Sequence, residues 1–287
     1  MMQIDFSKLT DLRIDYAFKL LFIKGEPRLL VSLLNAIFAN KKLGRVVKNA
    51  VIQNPNLEKD SDDDKYSVLD IIAELDDGTA VLIEMHMHRL GELKSKTIRS
   101  WARFYGSVLK KGEDYSSQMP TISIAFLDGA IDKSSEQKIH KLCMIMDTED
   151  LTVFTDAMEL HYINMKAFAK AVNEKNSIAI SDTEETMFEK WLAIITQEEI
   201  TNKEIIKKVC EEEDLYMAVQ TMKRYSDEMI ERYLREKAEY ERAYYEAREA
   251  KYERMTGEYE RMAEENEILK QKVEELMALL SSKTENG

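Results

Sequence analysis

Two carboxylates and a histidine sit in an otherwise apolar stretch, and their spacing is what first points to chemistry. Ser67 to Leu75 and Thr79 to His88 read as two strands on either side of Asp76-Asp77-Gly78. A three-residue hairpin loop takes glycine at its last, left-handed position. With that loop, Leu75 stands opposite Thr79, Ile72 opposite Leu82, Asp70 opposite Glu84 and Val68 opposite His86. Directly opposed residues share a face, with Cβ atoms about 4.5–5.5 Å apart. Two carboxylates that close repel each other unless a cation lies between them. Mg²⁺ or Mn²⁺ suits such a pair, taking one or two carboxylates and completing its shell with water and phosphate oxygens. His86 follows Glu84 by two residues and shares its face.

The loop decides the matter. A two-residue loop, Asp77-Gly78, would bring Met85 opposite Asp70 and turn Glu84 to the other face. The three-residue register is favoured because it gathers the polar groups on one side. The alternative to a metal site is a solvent-facing hairpin with ordinary surface charges. His88 would share the face if the strand continues, and a His86–His88 zinc site has no cysteine cluster to support it.

The surrounding elements set the fold class. Residues 10 to 40 read as two helices broken at Gly25-Glu26-Pro27, with Leu30, Leu33, Leu34 and Ile37 on one face of the second. Val46 to Gln53 reads as a strand, as do Thr121 to Leu127 and Leu160 to Met165. Glu92 to Lys110 reads as an amphipathic helix with Ile98, Trp101, Tyr105 and Val108 on its buried side. Helices and strands around a central hairpin give an α/β sandwich. From about residue 180 only helices are expected. The spacing divides the chain into 1–170, a mixed domain carrying the hairpin, 171–214, a helical connection, and 215–287, a long charged helix.

The last segment has heptads. Position a falls at Tyr252, Tyr259, Asn266, Val273 and Leu280, and position d at Met255, Met262, Leu269 and Leu276. Asn266 at a is the polar residue that specifies register in parallel dimers. The expectation is a C-terminal coiled coil that makes a homodimer; the alternative is a helix folded back on the core.

Composition bounds the function classes. The 287 residues carry a net charge of −13, which excludes a protein that coats nucleic acid indiscriminately but not one with local basic surfaces. No run of eighteen apolar residues is present, so no membrane span and no membrane partner is expected. The start lacks the basic flank and apolar run of a signal peptide. Cys143 and Cys210 form no metal or redox motif and read as thiols in a reducing compartment, so a cytoplasmic location is expected.

Several of these segments resemble one family. Asp15-Tyr-Ala-Phe-Lys-Leu-Leu-Phe22, Leu34-Asn-Ala-Ile37, Leu69-Asp-Ile71, Ile83-Glu-Met85 and Lys111-Gly-Glu-Asp-Tyr115, in this order and spacing, are similar to the Rpn family of recombination-promoting nucleases, the PD-(D/E)xK nuclease family transposases. The resemblance runs from about residue 10 to 165, and the later helices with Trp191 fit the family's layout. It implies a restriction-endonuclease-like core, a central mixed sheet flanked by helices, and Mg²⁺- or Mn²⁺-dependent cleavage of DNA linked to recombination or mobile elements. It implies Asp70 and Glu84 as metal ligands, and Asp15 and Lys19, one helical turn apart, as further members of the site; a local surface ion pair is the other reading of that last pair. One position departs. Where the family has Gln and the wider superfamily Lys, this chain has His86, so a catalytically weak or inactive DNA-binding or scaffolding dimer is the alternative to an active nuclease.

Seven basic residues and one acidic, Glu92, lie between Arg89 and Lys111. Lys96, Arg99, Arg103 and Lys110 fall near one helix face. They are candidates to hold a phosphate backbone beside the metal, or form a solvated face opposite Trp101 and Tyr105.

Overall fold

The computed structural model describes residues 10–53, 71–87, 92–108, 114–115, 118–178 and 184–222, with a few isolated positions beyond. The chain forms two compact units, Met1–Ser226 and Asp227–Gly287. The heptad segment from Tyr252 to Leu280, and with it the expected coiled coil, lies almost wholly outside the described residues.

Two helices open the first unit, α1 (Asp15–Lys24) and α2 (Pro27–Asn40). The break between them falls where the sequence places it. Gly25 donates its N–H to Leu21 O at 2.9 Å, and a Cβ at Gly25 would stand 2.2 Å from that same oxygen. Pro27 then starts α2 at a position that needs no N–H. Leu30, Leu33, Leu34 and Ile37 are buried, as their spacing predicts.

A six-stranded sheet follows: β1 (Ala50–Ile52), β2 (Ile71–Leu75), β3 (Ala80–His86), β4 (Thr121–Leu127), β5 (His140–Met146) and β6 (Val153–Asn164), in the spatial order β1-β2-β3-β4-β6-β5. β1, β2 and β3 pair antiparallel, β3, β4 and β6 run parallel, and β5 closes the far edge antiparallel to β6. A parallel neighbour requires a crossover, and α3 (Leu93–Val108) supplies it between β3 and β4. The sheet is mixed and flanked by helices, which is the architecture of a restriction-endonuclease-like α/β core.

The hairpin register is the three-residue one. Ile72 pairs with Leu82 and Ile71 with Ile83. Leu75 donates to Thr79 O and Gly78 to Leu75 O, at 2.9 and 3.0 Å. Gly78 has φ +83°, the left-handed value the loop demands.

Each side of the sheet has its own helices. Phe18 of α1 meets Phe126 of β4 with ring centroids 5.3 Å apart. α4 (Met165–Lys175) packs against β4 and α5 (Glu184–Ile195), while α5 and α7 (Glu213–Met222) pack on α2 and α6 (Lys203–Val209) packs on α5. Trp191 of α5 is fully buried against α2 and donates its indole N–H to Ser32 Oγ at 3.1 Å. Leu215, Ala218, Val219 and Met222 of α7 are also core residues. On the opposite side, Leu93 and Trp101 of α3 pack over Ala125, Leu127, Leu160 and Tyr162.

Four expectations need correction. β1 spans only Ala50–Ile52, not Val46 to Gln53, because Asp76 Oδ1 accepts the N–H of Lys48 and holds that residue in a turn. β6 begins at Val153 rather than Leu160, its first residues being largely exposed, and β5 was not foreseen, because its short apolar run Leu142 to Met146 has no alternation. Ile98 is 47% exposed and not on the buried side of α3; Leu93 and Thr97 occupy that side instead.

Candidate active site

Glu84 enters the protein interior because β3 alternates. Val81, Ile83 and Met85 face α1 and α2, so Leu82, Glu84 and His86 face α3. The register carries this across the sheet: Glu84 pairs with Ala125, and Ala125 with Tyr162. All three therefore lie under α3. Alanine in the middle leaves room between the carboxylate and the phenol.

The Glu84 side chain is 1% exposed and that of His86 10%. Glu84 Oε2 and His86 Nε2 are 2.6 Å apart. A carboxylate only accepts, so Nε2 carries the proton and donates it. Burial pushes the Glu84 carboxyl up, but the hydrogen bond and charge of His86 work against this, with Lys96 and Ser100 of α3 adding to them. The net shift is downward, and Glu84 is a carboxylate at neutral pH.

Glu84 Oε1 is different. It is buried and accepts no hydrogen bond. Ser100 adds hydrogen bonding to the carboxylate and helps to lower it, yet Oε1 itself has no hydrogen-bond partner. An ionised buried oxygen without a donor is costly. A hard divalent cation fits it, since Mg²⁺ and Mn²⁺ take carboxylate oxygens directly. The donor set at Glu84 is thus suited to the implied metal, although among the described residues no group of three or more His, Cys, Asp or Glu is arranged to hold one.

Three buried hydroxyls share this layer. Thr121 Oγ1 and Ser123 Oγ are buried without partners, and the buried Thr97 hydroxyl has only the Tyr162 phenol within reach. By register, Thr121 and Ser123 project to the same side as Ala125. The interior beneath α3 is therefore polar around Glu84.

The other foreseen residues are distributed as follows. Asp70, His88 and Lys110 lie outside the described residues, as does the side chain of Asp15, which opens α1. Lys19 is buried on α1, on the side of the sheet opposite Glu84. Lys96, Arg99 and Arg103 are exposed on α3, with Lys96 close enough to act on Glu84. Beyond β4, Asp128 donates its N–H to His86 O at 3.0 Å. Arg13 is raised above the ordinary arginine value by its hydrogen bond to Asp11, with Glu199 and Asp128 adding to it.

Tyr162 and Thr97 were missed. Their place beside Glu84 depends on the parallel pairing of β3, β4 and β6, which leaves no local mark in the sequence. Also missed is a buried network on the α2 side. Glu159 accepts both guanidinium nitrogens of Arg45 at 3.0 and 3.1 Å. His161 Nε2 lies 3.3 Å from Glu159 Oε2, and His140 Nε2 lies 2.9 Å from His161 Nδ1. Burial holds His140 neutral, down to a pKa of about 2, and lowers His161 as well.

Among the described residues no helix is long and apolar enough to cross a membrane. No curated protein and no solved structure matches the chain. A family model does match, over residues 12–253, which includes both buried glutamates and every strand and helix above. The chain belongs to the PD-(D/E)XK nuclease family transposases.

Proposed function

We propose that this protein is a divalent-metal-dependent DNA endonuclease, with Glu84 and Asp70 as metal ligands. The observation that carries the reading is the buried, ionised Glu84 with one oxygen held by His86 and the other unpartnered. The three-residue hairpin register read from the sequence has Asp70 opposite Glu84, and the described pairs Ile71–Ile83 and Ile72–Leu82 support that register.

In this reading Glu84 Oε1 and the Asp70 carboxylate hold Mg²⁺ or Mn²⁺. The bound ion would polarise the phosphodiester and lower the pKa of an attacking water. His86 fixes the orientation of Glu84 through Oε2 and keeps a proton at Nε2. Lys96, with Arg99 and Arg103 further along α3, holds the phosphate backbone without reading sequence. The region beneath α3, closed by Leu93, Trp101 and Tyr162, keeps bulk water from Glu84. The heptads after residue 250 pair two copies, which suits cutting of both strands.

A second reading has its own support. His86 is engaged by Glu84 and is shorter than the lysine common in the superfamily, so the chain would bind DNA and scaffold a partner copy while cutting weakly. Nicking of supercoiled plasmid in Mg²⁺ or Mn²⁺ separates the two. Wild type nicks, Asp70→Ala and Glu84→Gln do not, and His86→Gln retains or gains activity. Absence of metal-dependent nicking by wild type removes the enzyme reading, and unchanged nicking by Asp70→Ala removes the assigned site.

A further inference from the structure

Exposed apolar side chains collect in one place. Ile145, Met146, Leu151, Val153 and Phe154 are all exposed, Leu151 at 71% and Phe154 at 74%. They belong to the β5–β6 hairpin, which runs past the sheet: β6 meets β4 only from Met158 onward, whereas Val153 and Thr155 pair with β5 alone. Because Met158 is opposite Thr121 and Asn164 opposite Leu127, this arm leaves at the end of the sheet remote from His86.

The arm is held in shape. Asp147 N–H bonds to Thr152 O, Glu149 N–H to Asp147 Oδ1, and Thr152 N–H to Asp150 Oδ1, at 2.8, 2.8 and 2.9 Å. Leu151 sits between them at φ +60°. A left-handed leucine costs on the order of 1 kcal/mol, yet here it presents a large apolar side chain to solvent.

Charge narrows the partner. Residues 142–157 contain Asp147, Glu149, Asp150 and Asp156 and no lysine or arginine. Nucleic acid and anionic membranes are repelled by such a surface. Two arms tip to tip would repel each other in the same way. Edge pairing of β5 is disfavoured by the register shifts at Met144, Ile145 and Met146. What fits is an apolar spot flanked by cations. The chain carries one: Ile98, 47% exposed, with Arg99 beside it and Lys94, itself paired with Asp132, one turn before it, on a helix whose span Leu93–Val108 has no acid.

We propose that the β5–β6 arm of one protomer docks on the basic face of α3 of a second copy, with Leu151 and Phe154 against Ile98 and the arm's carboxylates among the α3 cations. The contact is reciprocal, each protomer giving an arm and receiving one, and so closes into a two-fold, isologous dimer. It is independent of whether the protein cuts DNA. Since α3 is also the face assigned to phosphate, a polyanion and the arm compete for it.

The test is photo-crosslinking of the purified full-length protein with p-benzoylphenylalanine placed at Leu151. The expected result is a covalent dimer whose cross-linked peptide maps to residues 93–108. Yield should fall at least fivefold in 0.5 M NaCl, with heparin, and in the double variant Glu149→Lys, Asp156→Lys, whose exposed side chains take no part in the hydrogen bonds that shape the turn. A dimer cross-linked arm to arm, a cross-link elsewhere on the chain, attachment to a co-purifying protein, or no covalent dimer overturns the proposal.

Discussion

Removing the imidazole beside Glu84 tests the site without any substrate. In His86→Ala the buried carboxylate loses its one short, strong donor and keeps only the hydrogen bonding of Ser100 and the charge of Lys96. A hydrogen bond to a charged group contributes about 1.5–3 kcal/mol, and stranding a buried ion costs about 3–5 kcal/mol. With α3 partly compensating, the expected loss is about 2–4 kcal/mol. Glu84→Gln keeps the shape and removes the charge, so on its own it is within about 1 kcal/mol of wild type. In that background His86→Ala has no ion to strand and costs about 1 kcal/mol. The coupling in the double-mutant cycle is then about 2 kcal/mol. Urea unfolding in EDTA, followed by the fluorescence of the buried Trp191, measures all four corners. Adding Mg²⁺ should return stability to His86→Ala and not to the variants lacking the carboxylate, because only Glu84 offers it an ionised oxygen. A coupling below about 0.5 kcal/mol would refute the claim that Glu84 is a buried ion held by His86.

Three further outcomes follow from the same structure. His140 is near 6.5 when unfolded and about 2 when folded, so its stabilisation is complete above pH 6.5 and is lost as pH falls below it, at about 1.4 kcal/mol per unit; chemical denaturation at pH 7 and pH 5 should differ by about 2 kcal/mol or more, His140→Gln should reduce the slope, and a flat profile contradicts the buried neutral imidazole. Arg45→Leu leaves Glu159 ionised and buried, and should cost about 3 kcal/mol in thermal or urea unfolding, with Glu159→Gln recovering part of it; equal stability of the single and double variants would count against the pairing. Gly78→Ala places a Cβ at φ +83° and 2.8 Å from Met119 Cε, for a loss of about 1–2 kcal/mol; Met119→Ala should relieve the contact but not the backbone strain, and a neutral Gly78→Ala would argue for a different loop.

Local signals made the hairpin legible. Asp76-Asp77-Gly78 fixes its own geometry through one left-handed glycine, and the register of Ile71 to Glu74 follows from it by counting. The Gly25 and Pro27 break was readable for the same reason, as each residue acts on the backbone beside it. Long-range pairing was not. The placement of Tyr162 on the same face as Glu84 requires knowing that β4 pairs with both β3 and β6, and nothing near residue 162 encodes a partner eighty residues away. β5 hides because its run Leu142 to Met146 is apolar without alternation, and so short a run does not tell strand from helix. Ile98 was misassigned because a helix lying over a polar layer buries Thr97 in preference to its apolar neighbour.

Two Glu-x-His triplets on parallel strands show where residue type stops being informative. Glu84-Met85-His86 and Glu159-Leu160-His161 have the same spacing, both glutamates are buried, and in both the histidine Nε2 approaches Glu Oε2, at 2.6 and 3.3 Å. They lie on opposite sides of the sheet because β3 and β6 pair with β4 in registers that differ by one position in parity: Ala125 meets Glu84 on one side and Tyr162, not His161, on the other. Glu159 has its remaining oxygen closed by the two-pronged Arg45 contact, so it is a complete ion pair with no valence left for a ligand. Glu84 has a monodentate donor and an open oxygen. If an open valence is what makes one triplet a site and the other a strut, a divalent ion should stabilise the wild type through Glu84 alone. Mg²⁺ titration of thermal stability should give a shift that Glu84→Gln abolishes and that Glu159→Gln, though less stable throughout, retains. A shift lost in both variants would mean that the two carboxylates are not separated by their hydrogen bonding, and the distinction between them would fall.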